Sequence, residues 1–228
     1  MKMNKDLNYK LIITKRKTIA LIIDKEANLI VRAPGKAPIH FIEKLIKEKQ
    51  DWIIRKKSEI STHNQNHKKN EFIFGEQFYF LGNKYPLLAS SQYVNELIFE
   101  GDSFKLSPDK IHLADRLFIR FYYLESYIRI YPRVQHLSKL TGYIPGKIRI
   151  SNAKRKWGSC STGANINLSW RLVMLPPEIA DYIIIHELVH ISEMNHSDRF
   201  WAKVSKFCPD YMTYRKWLRV NSRLFDFQ

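Results

Sequence analysis

Cysteine is nearly absent: the 228 residues hold two, Cys160 and Cys208. Two thiols cannot build the disulfide framework of a small secreted domain, and a reducing compartment is the simplest setting. Glycine and proline are also few, at 8 and 9. Collagen-like repeats and Gly/Pro-rich disordered chains are thereby excluded. Acidic residues fall short of basic ones, 22 Asp and Glu against 38 Lys and Arg, for a formal net charge of +16. So basic a chain directs attention to acidic partners. Long apolar runs are missing as well. The opening MKMNKDLNYK leads into no apolar stretch of signal-peptide length, and runs such as Ile183-Ile184-Ile185 are far too short to span a membrane. The expectation is a soluble, cytoplasmic protein with no membrane partner.

What is present is material for a core. Apolar residues make up 45% and aromatics 13% of the chain, enough for one large domain or two small ones. β-branched, period-two stretches predict strands over 9–14, 18–23 and 28–31. From Pro38, the spacing of Phe41, Ile42, Leu45, Ile46, Trp52 and Ile53 predicts one helix with a basic outer face. Residues 58–70 are polar and aperiodic and predict a loop. Strands are expected again over 72–74, 77–81 and 84–88, turning at Gly82-Asn83, with a further hairpin around Gly101-Asp102.

At Ser107-Pro108 the pattern changes to long helices, Ser107 being a suitable cap and Pro108 a suitable first residue. Strands are expected at 147–151 and 165–168, and helices from Pro177, Ser197 and Asp210. The expectation is an α+β chain. A β-rich accessory domain with one basic helix fills 1–108, and a second domain fills 109–228.

The chemistry is concentrated in His186-Glu187-Leu188-Val189-His190, inside the helix predicted from Pro177. On a helix, residues four apart are rotated by about 40°, so both imidazoles share one face and can hold one Zn²⁺. Glu187 lies about 100° away, within reach of a water on that metal without being a ligand. This is the H-E-x-x-H arrangement of zinc peptidases. With this composition a chance match has odds of about 1–2%. The surrounding helix is apolar on most faces, and two His and a Glu inside it would be costly without partners that a metal supplies.

A catalytic zinc usually takes three protein ligands and a water. Beyond His190 the candidates are His196, Asp198 and Asp210. His196 stands six residues on, the interval of H-E-x-x-H-x-x-G-x-x-H, although Glu193 occupies the glycine position. An unbroken helix would turn His196 away, so the helix must end first. Asn195 tolerates the left-handed backbone that ends helices, and Ser197 can cap the next one. His196 is the expected third ligand, with the aspartates as alternatives.

These residues bring a family into view. Trp157-Gly158-Ser159-Cys160-Ser161, Asn165-Ile166-Asn167-Leu168, Pro176-Pro177-Glu178 and Asp181-Tyr182 precede the HELVH, and Asn195-His196-Ser197 and Phe200-Trp201 follow it. Together they closely resemble the YgjP-like metallopeptidases. Leu81 to Leu87 and Trp52-Ile53 extend the likeness to the first half, and Ser169 departs from an expected Asn. The resemblance implies a zincin-type domain in 109–228, with a backing helix, a small sheet and the HExxH helix. It also implies the three-histidine zinc site, and kinship with WLM and SprT-type peptidases, some of which act on proteins attached to DNA.

Other features carry weaker signals. Trp157, Gly158, Ser159 and Cys160 precede a strand beside the active-site helix and are candidates for shaping a substrate cleft. The basic clusters, Lys154-Arg155-Lys156 above all, are candidates for nucleic-acid contact, DNA or RNA. Tyr211, Tyr214 and Arg215 could face a developing oxyanion, but ordinary roles on a helix surface explain them better. Three functions follow. The first is a zinc metallopeptidase acting on protein or peptide, with Glu187 as general base. The second is a basic nucleic-acid-associated protein with structural zinc. The third is a zinc hydrolase of a non-peptide amide.

Overall fold

The computed structural model describes residues 3–4, 8–24, 26–65, 70–92, 95–225 and 227, with backbone alone at 3–4 and 59–65. The chain divides into two compact units, Met1–Lys68 and Lys69–Gln228.

The first unit has four strands, β1 (Met3–Asn4), β2 (Tyr9–Thr14), β3 (Ala20–Ile23) and β4 (Leu29–Pro34), in the order β1-β2-β4-β3. β2 and β4 run parallel from Tyr9 opposite Leu29 to Thr14 opposite Pro34. Along β4 the alternation is plain: Leu29, Val31 and Ala33 are buried while Arg32 is exposed. Two helices follow, α1 (Ile39–Glu48) and α2 (Gln50–Gln65), where the sequence predicts one. Ile42 and Ile46, four apart on one face of α1, close the core together with Ile53 of α2. The loop expected over 58–70 is helix through Gln65. Residues 58–65, SEISTHNQ, carry no apolar stripe, but once a turn has formed at Trp52 and Ile53 each further residue adds a hydrogen bond with no new nucleation cost. The rest of that stretch, 66–69 with His67, lies outside the described residues.

The second unit opens on β5 (Gln77–Phe80), β6 (Asn83–Ala89), β7 (Ile98–Phe99) and β8 (Phe104–Leu106), in the order β5-β6-β8-β7. A short 3₁₀ turn leads to α3 (Ala114–Glu125), then a single π-type turn to α4 (Tyr131–Thr141). Pro132 sits in the first turn of α4, where a missing N–H costs nothing, and so opens that helix. Then come β9 (Ile148–Ser151), β10 (Gly158–Cys160), β11 (Ile166–Ser169), α5 (Pro177–Val189), α6 (Asp198–Phe207) and α7 (Tyr211–Asn221). The small sheet has the order β10-β11-β9, with β10 on an edge.

The domain boundary read near residue 108 falls inside this second unit. Phe78 stacks on Phe118 of α3 at 4.0 Å between ring centroids, and Phe104 packs on Phe118 at 5.0 Å and Phe121 at 5.4 Å. Strands β5 to β8 and helix α3 therefore share one apolar core. The strand predicted over 72–74 does not form. Phe72 takes a positive φ of 56°, and the N–H groups of Glu71, Phe72 and Ile73 converge on the Glu76 carboxylate.

The hairpin turn lies one residue earlier than predicted, with φ of 51° at Leu81 and 86° at Gly82. Both N–H groups leave the hairpin and donate to the carbonyls of Val173 and Met174, at 2.9 and 3.0 Å. A Cβ on Gly82 would come within 2.9 Å of Pro176 Cα, so only glycine lets this turn touch the entrance to α5. Arg133 of α4 grips the other side of α5 with two hydrogen bonds to Asp181, at 2.8 and 2.6 Å.

Phe104 is fully buried at the junction of strands and helices. Phe104→Ala should cost about 3–5 kcal/mol in urea unfolding. A loss below about 1 kcal/mol would mean that strands and helices do not share this core.

Candidate metal centre

Helix α5 is apolar on most faces: Ile179, Ala180, Tyr182, Ile183, Ile184, Ile185, Leu188 and Val189 are all buried. A helix of that kind belongs in the middle of a fold. His186, Glu187 and His190 are set into it, with Glu187 only 6% exposed and His190 9%.

The helix ends at Val189, and His190 forms its C-terminal cap. His190 Nδ1 donates to the Glu193 carbonyl at 2.9 Å, which fixes the tautomer and leaves Nε2 free as a donor to a metal. Lys203 of α6 holds Glu193 by its carboxylate at 2.9 Å. The left-handed residue expected at Asn195 is absent: Asn195 has no positive φ. Instead its side-chain Oδ1 accepts from Ser197 N–H at 3.2 Å, and Ser197 Oγ accepts from Phe200 N–H at the start of α6. The chain reverses through a side-chain-capped turn, and His196 comes back to α5.

The outcome is a group of three. His186 Nε2 and His196 Nε2 are 3.1 Å apart, and ligand atoms of His186, His190 and His196 all lie within 4.8 Å of one another. Two ligands at about 2.05 Å from a tetrahedral ion are about 3.3 Å apart. The His186–His196 pair has that spacing, and the three-imidazole donor set suits one zinc-sized cation with a position left over. Among the described residues this is the one such group, and Asp198 and Asp210 are outside it.

Aromatic rings hold the cluster. His196 stacks on Trp201 at 5.5 Å, and Phe200 packs on His190 at 4.5 Å and His186 at 4.9 Å. The buried Nδ1 of His186 has no hydrogen-bond partner, so packing fixes that ring. Trp201 also carries the guanidinium of Arg215, 4.7 Å from its ring centroid. The sequence reading attached no role to Trp201. The signal was there in its position, five residues past His196 on the apolar face of α6.

Burial disfavours the charged forms of His186, His196 and Glu187. It pushes His186 down to about 3, helped by His190, His196 and Arg215. His186 is thus neutral at physiological pH, as a ligand must be. His196 is lowered for the same reasons, burial first. Glu187 is pushed up to about 7 by burial, with Lys156 pulling the other way.

The residues expected to shape a cleft lie beside Glu187. Gly158, Ser159 and Cys160 form β10 itself. A Cβ on Gly158 would meet Glu187 Cγ at 2.7 Å and Oε1 at 2.8 Å, so the absence of a side chain makes room for the carboxyl. Trp157 O accepts from Ser169 N–H of β11, and Ser161 N–H donates to the Asn165 carbonyl just before β11, both inward. In an antiparallel ladder alternate residues share a direction, so Gly158 and Cys160 turn their N–H and C=O groups to the open edge. Burial, and then Glu187, raise the Cys160 thiol, so it is not a thiolate nucleophile at neutral pH. Lys154, Arg155 and Lys156 are exposed on the approach to β10.

A family model for the YgjP-like metallopeptidase domain matches residues 17–221. The chain belongs to this family. YgjP-like proteins are metallopeptidases, so a metal ion and a protein or peptide substrate come with membership. No curated protein matches the chain. A solved structure of the metallopeptidase zymogen of Pyrococcus abyssi abylysin is similar, with 27% identity over 43% of this chain and 98% of that one, at a TM-score of 0.37. Among its described residues, this YgjP-like chain has no helix long and apolar enough to cross a membrane.

Purified protein should take up about one zinc per chain, the stoichiometry of a three-ligand site. Elemental analysis after dialysis should show the metal lost in His186→Ala and His190→Ala and weakened in His196→Ala, and kept in Asp198→Ala and Asp210→Ala. Metal retained by all three histidine variants would remove the site.

Proposed function

We propose that this protein is a zinc-dependent peptidase in which His186, His190 and His196 hold Zn²⁺ and Glu187 is the general base. The observation that carries this reading is the position of Glu187. It is buried on α5 beside His186, faces Gly158, and is not itself one of the grouped ligands. A structural zinc site would have no use for such a carboxyl.

Zinc held by the three imidazoles would act as a Lewis acid toward a peptide carbonyl and lower the pKa of an adjacent water. The chain's own residues do the rest. The edge of β10 offers the N–H and C=O groups of Gly158 and Cys160 to an extended substrate, which adds as a further strand. Glu187 takes a proton from the attacking water on a carboxylate oxygen and returns it to the leaving nitrogen. A carboxyl held up to about 7 by burial is matched to both transfers near neutral pH. His190, oriented by the Glu193 carbonyl, and His196, stacked on Trp201, keep the ligand geometry rigid.

Glu187→Gln should retain zinc and the fold and lose about 10²–10⁴-fold in kcat on a casein-type substrate. Equal hydrolysis by wild type and variant would refute the role of Glu187. Gly158→Ala is a subtler probe, since its Cβ must displace the Glu187 carboxyl. A shift of that kind should lower kcat about 10²-fold with zinc content unchanged. Full activity in Gly158→Ala would show that the contact has no bearing on the base.

A further inference from the structure

The approach to β10 carries more positive charge than strand or fold requires. Lys154, Arg155 and Lys156 line a cavity of about 150 Å³ together with Trp157 and, from the chain after α7, Arg223. None of the described lining residues is acidic. Arg171 reaches the same cavity, but its guanidinium bonds Asn152 Oδ1 at 3.0 Å and lies 4.1 Å from the Trp170 ring centroid, so it serves as wall. Like charges gathered round a small concavity repel one another, and an anion placed there would relieve that repulsion.

The location narrows the ligand. Trp157 belongs to the cavity and directly precedes Gly158, which lies against Glu187. An extended chain advances about 3.3 Å per residue. A peptide paired with the open edge of β10 would therefore bring a residue one to three places from the reacting bond over the cavity. A half-open cavity of this size suits a single carboxylate. A nucleic acid would need a long basic groove following its phosphates.

We propose that this cavity is a specificity subsite for a carboxylate of the peptide substrate, supplied by an Asp or Glu side chain or by a C-terminus close to the scissile bond. The proposal rests on the peptidase reading above. Arg155 and Arg223 supply bidentate recognition, with Lys154 and Lys156 adding point charge.

The test uses full-length, zinc-loaded protein and quenched fluorogenic peptides of one parent sequence. Asp and Glu, or Asn and Gln, are placed in turn at the three positions on each side of the cleaved bond, and each peptide is made as free acid and as amide. One acidic position should raise kcat/KM about tenfold or more over its amide counterpart, the scale of one charge-assisted hydrogen bond. Preference that follows the side chain assigns Asp or Glu; preference that follows the free acid assigns the chain end. The double variant Arg155→Glu/Arg223→Glu should invert the preference, and Arg155→Gln/Arg223→Gln should bring the ratio near one. Equal cleavage of acidic and neutral peptides by wild type overturns the subsite and leaves the peptidase reading intact. Should no peptide be cleaved, the peptidase reading fails, and binding decides the subsite. Anisotropy of labelled peptides on Glu187→Gln protein should then still favour the acid about tenfold, and equal binding overturns the subsite. Displacement of the acidic peptide by a short single-stranded DNA that binds more tightly also overturns it, in favour of phosphate recognition.

Discussion

The structure depends on keeping a carboxyl and two imidazoles at the end of a helix that is apolar on most faces. Burying charge there is costly, and burial moves His186 down to about 3 and Glu187 up to about 7. Buried functional groups also need fixed positions, and much of the second unit provides them. The Leu81-Gly82 turn docks on the start of α5, Arg133 clamps it at Asp181, and Gly158 leaves the space that Glu187 fills. The aromatic pair Phe200 and Trp201 packs the imidazoles where hydrogen bonds do not.

Legibility followed the range of the interaction. The two histidines and the glutamate of α5 could be read from helical periodicity alone, because their relation is set within one turn. The return of His196 could be read in part. The geometry demanded that the helix end, but the turn uses the Asn195 side chain where a left-handed backbone was expected. The division of the chain could not be read from local pattern. Strands 77–106 look like the end of a β-rich first half, yet their aromatic side chains are matched to α3. Phe227 is a further case, packing on Phe72 at 5.3 Å, Tyr122 at 5.5 Å and Trp170 at 5.8 Å. No nearby residue announces such long-range pairing.

The edge position of β10 ties the small sheet to the site. Its parallel neighbour pair, β11 and β9, anchors it from one side only, with Leu168 opposite both Gly158 and Ile150. An unpaired edge is ordinarily a hazard for aggregation. Here the strand is three residues long and flanked by cations, two devices that blunt such an edge against other copies. Those cations repel a second copy of this basic chain while leaving the edge open to a peptide of opposite charge.

The protons of α5 also have a thermodynamic consequence for the metal-free protein. His186 has its folded pKa depressed from 6.5 to about 3, so the folded state holds fewer protons than the unfolded one between those values. Stability from this group falls as pH drops through that window. Glu187 has its folded pKa raised from 4.5 to about 7, so the folded state holds more protons there, and stability falls as pH rises through that window. Between about 4.5 and 6.5 the two slopes oppose one another. An unfolded chain carrying Glu⁻ and His⁺ binds as many protons at these groups as a folded chain carrying both neutral, and their joint contribution is flat with pH. A cation then finds His186 already neutral, and its charge favours the ionised carboxyl that Glu187 needs to act as a base.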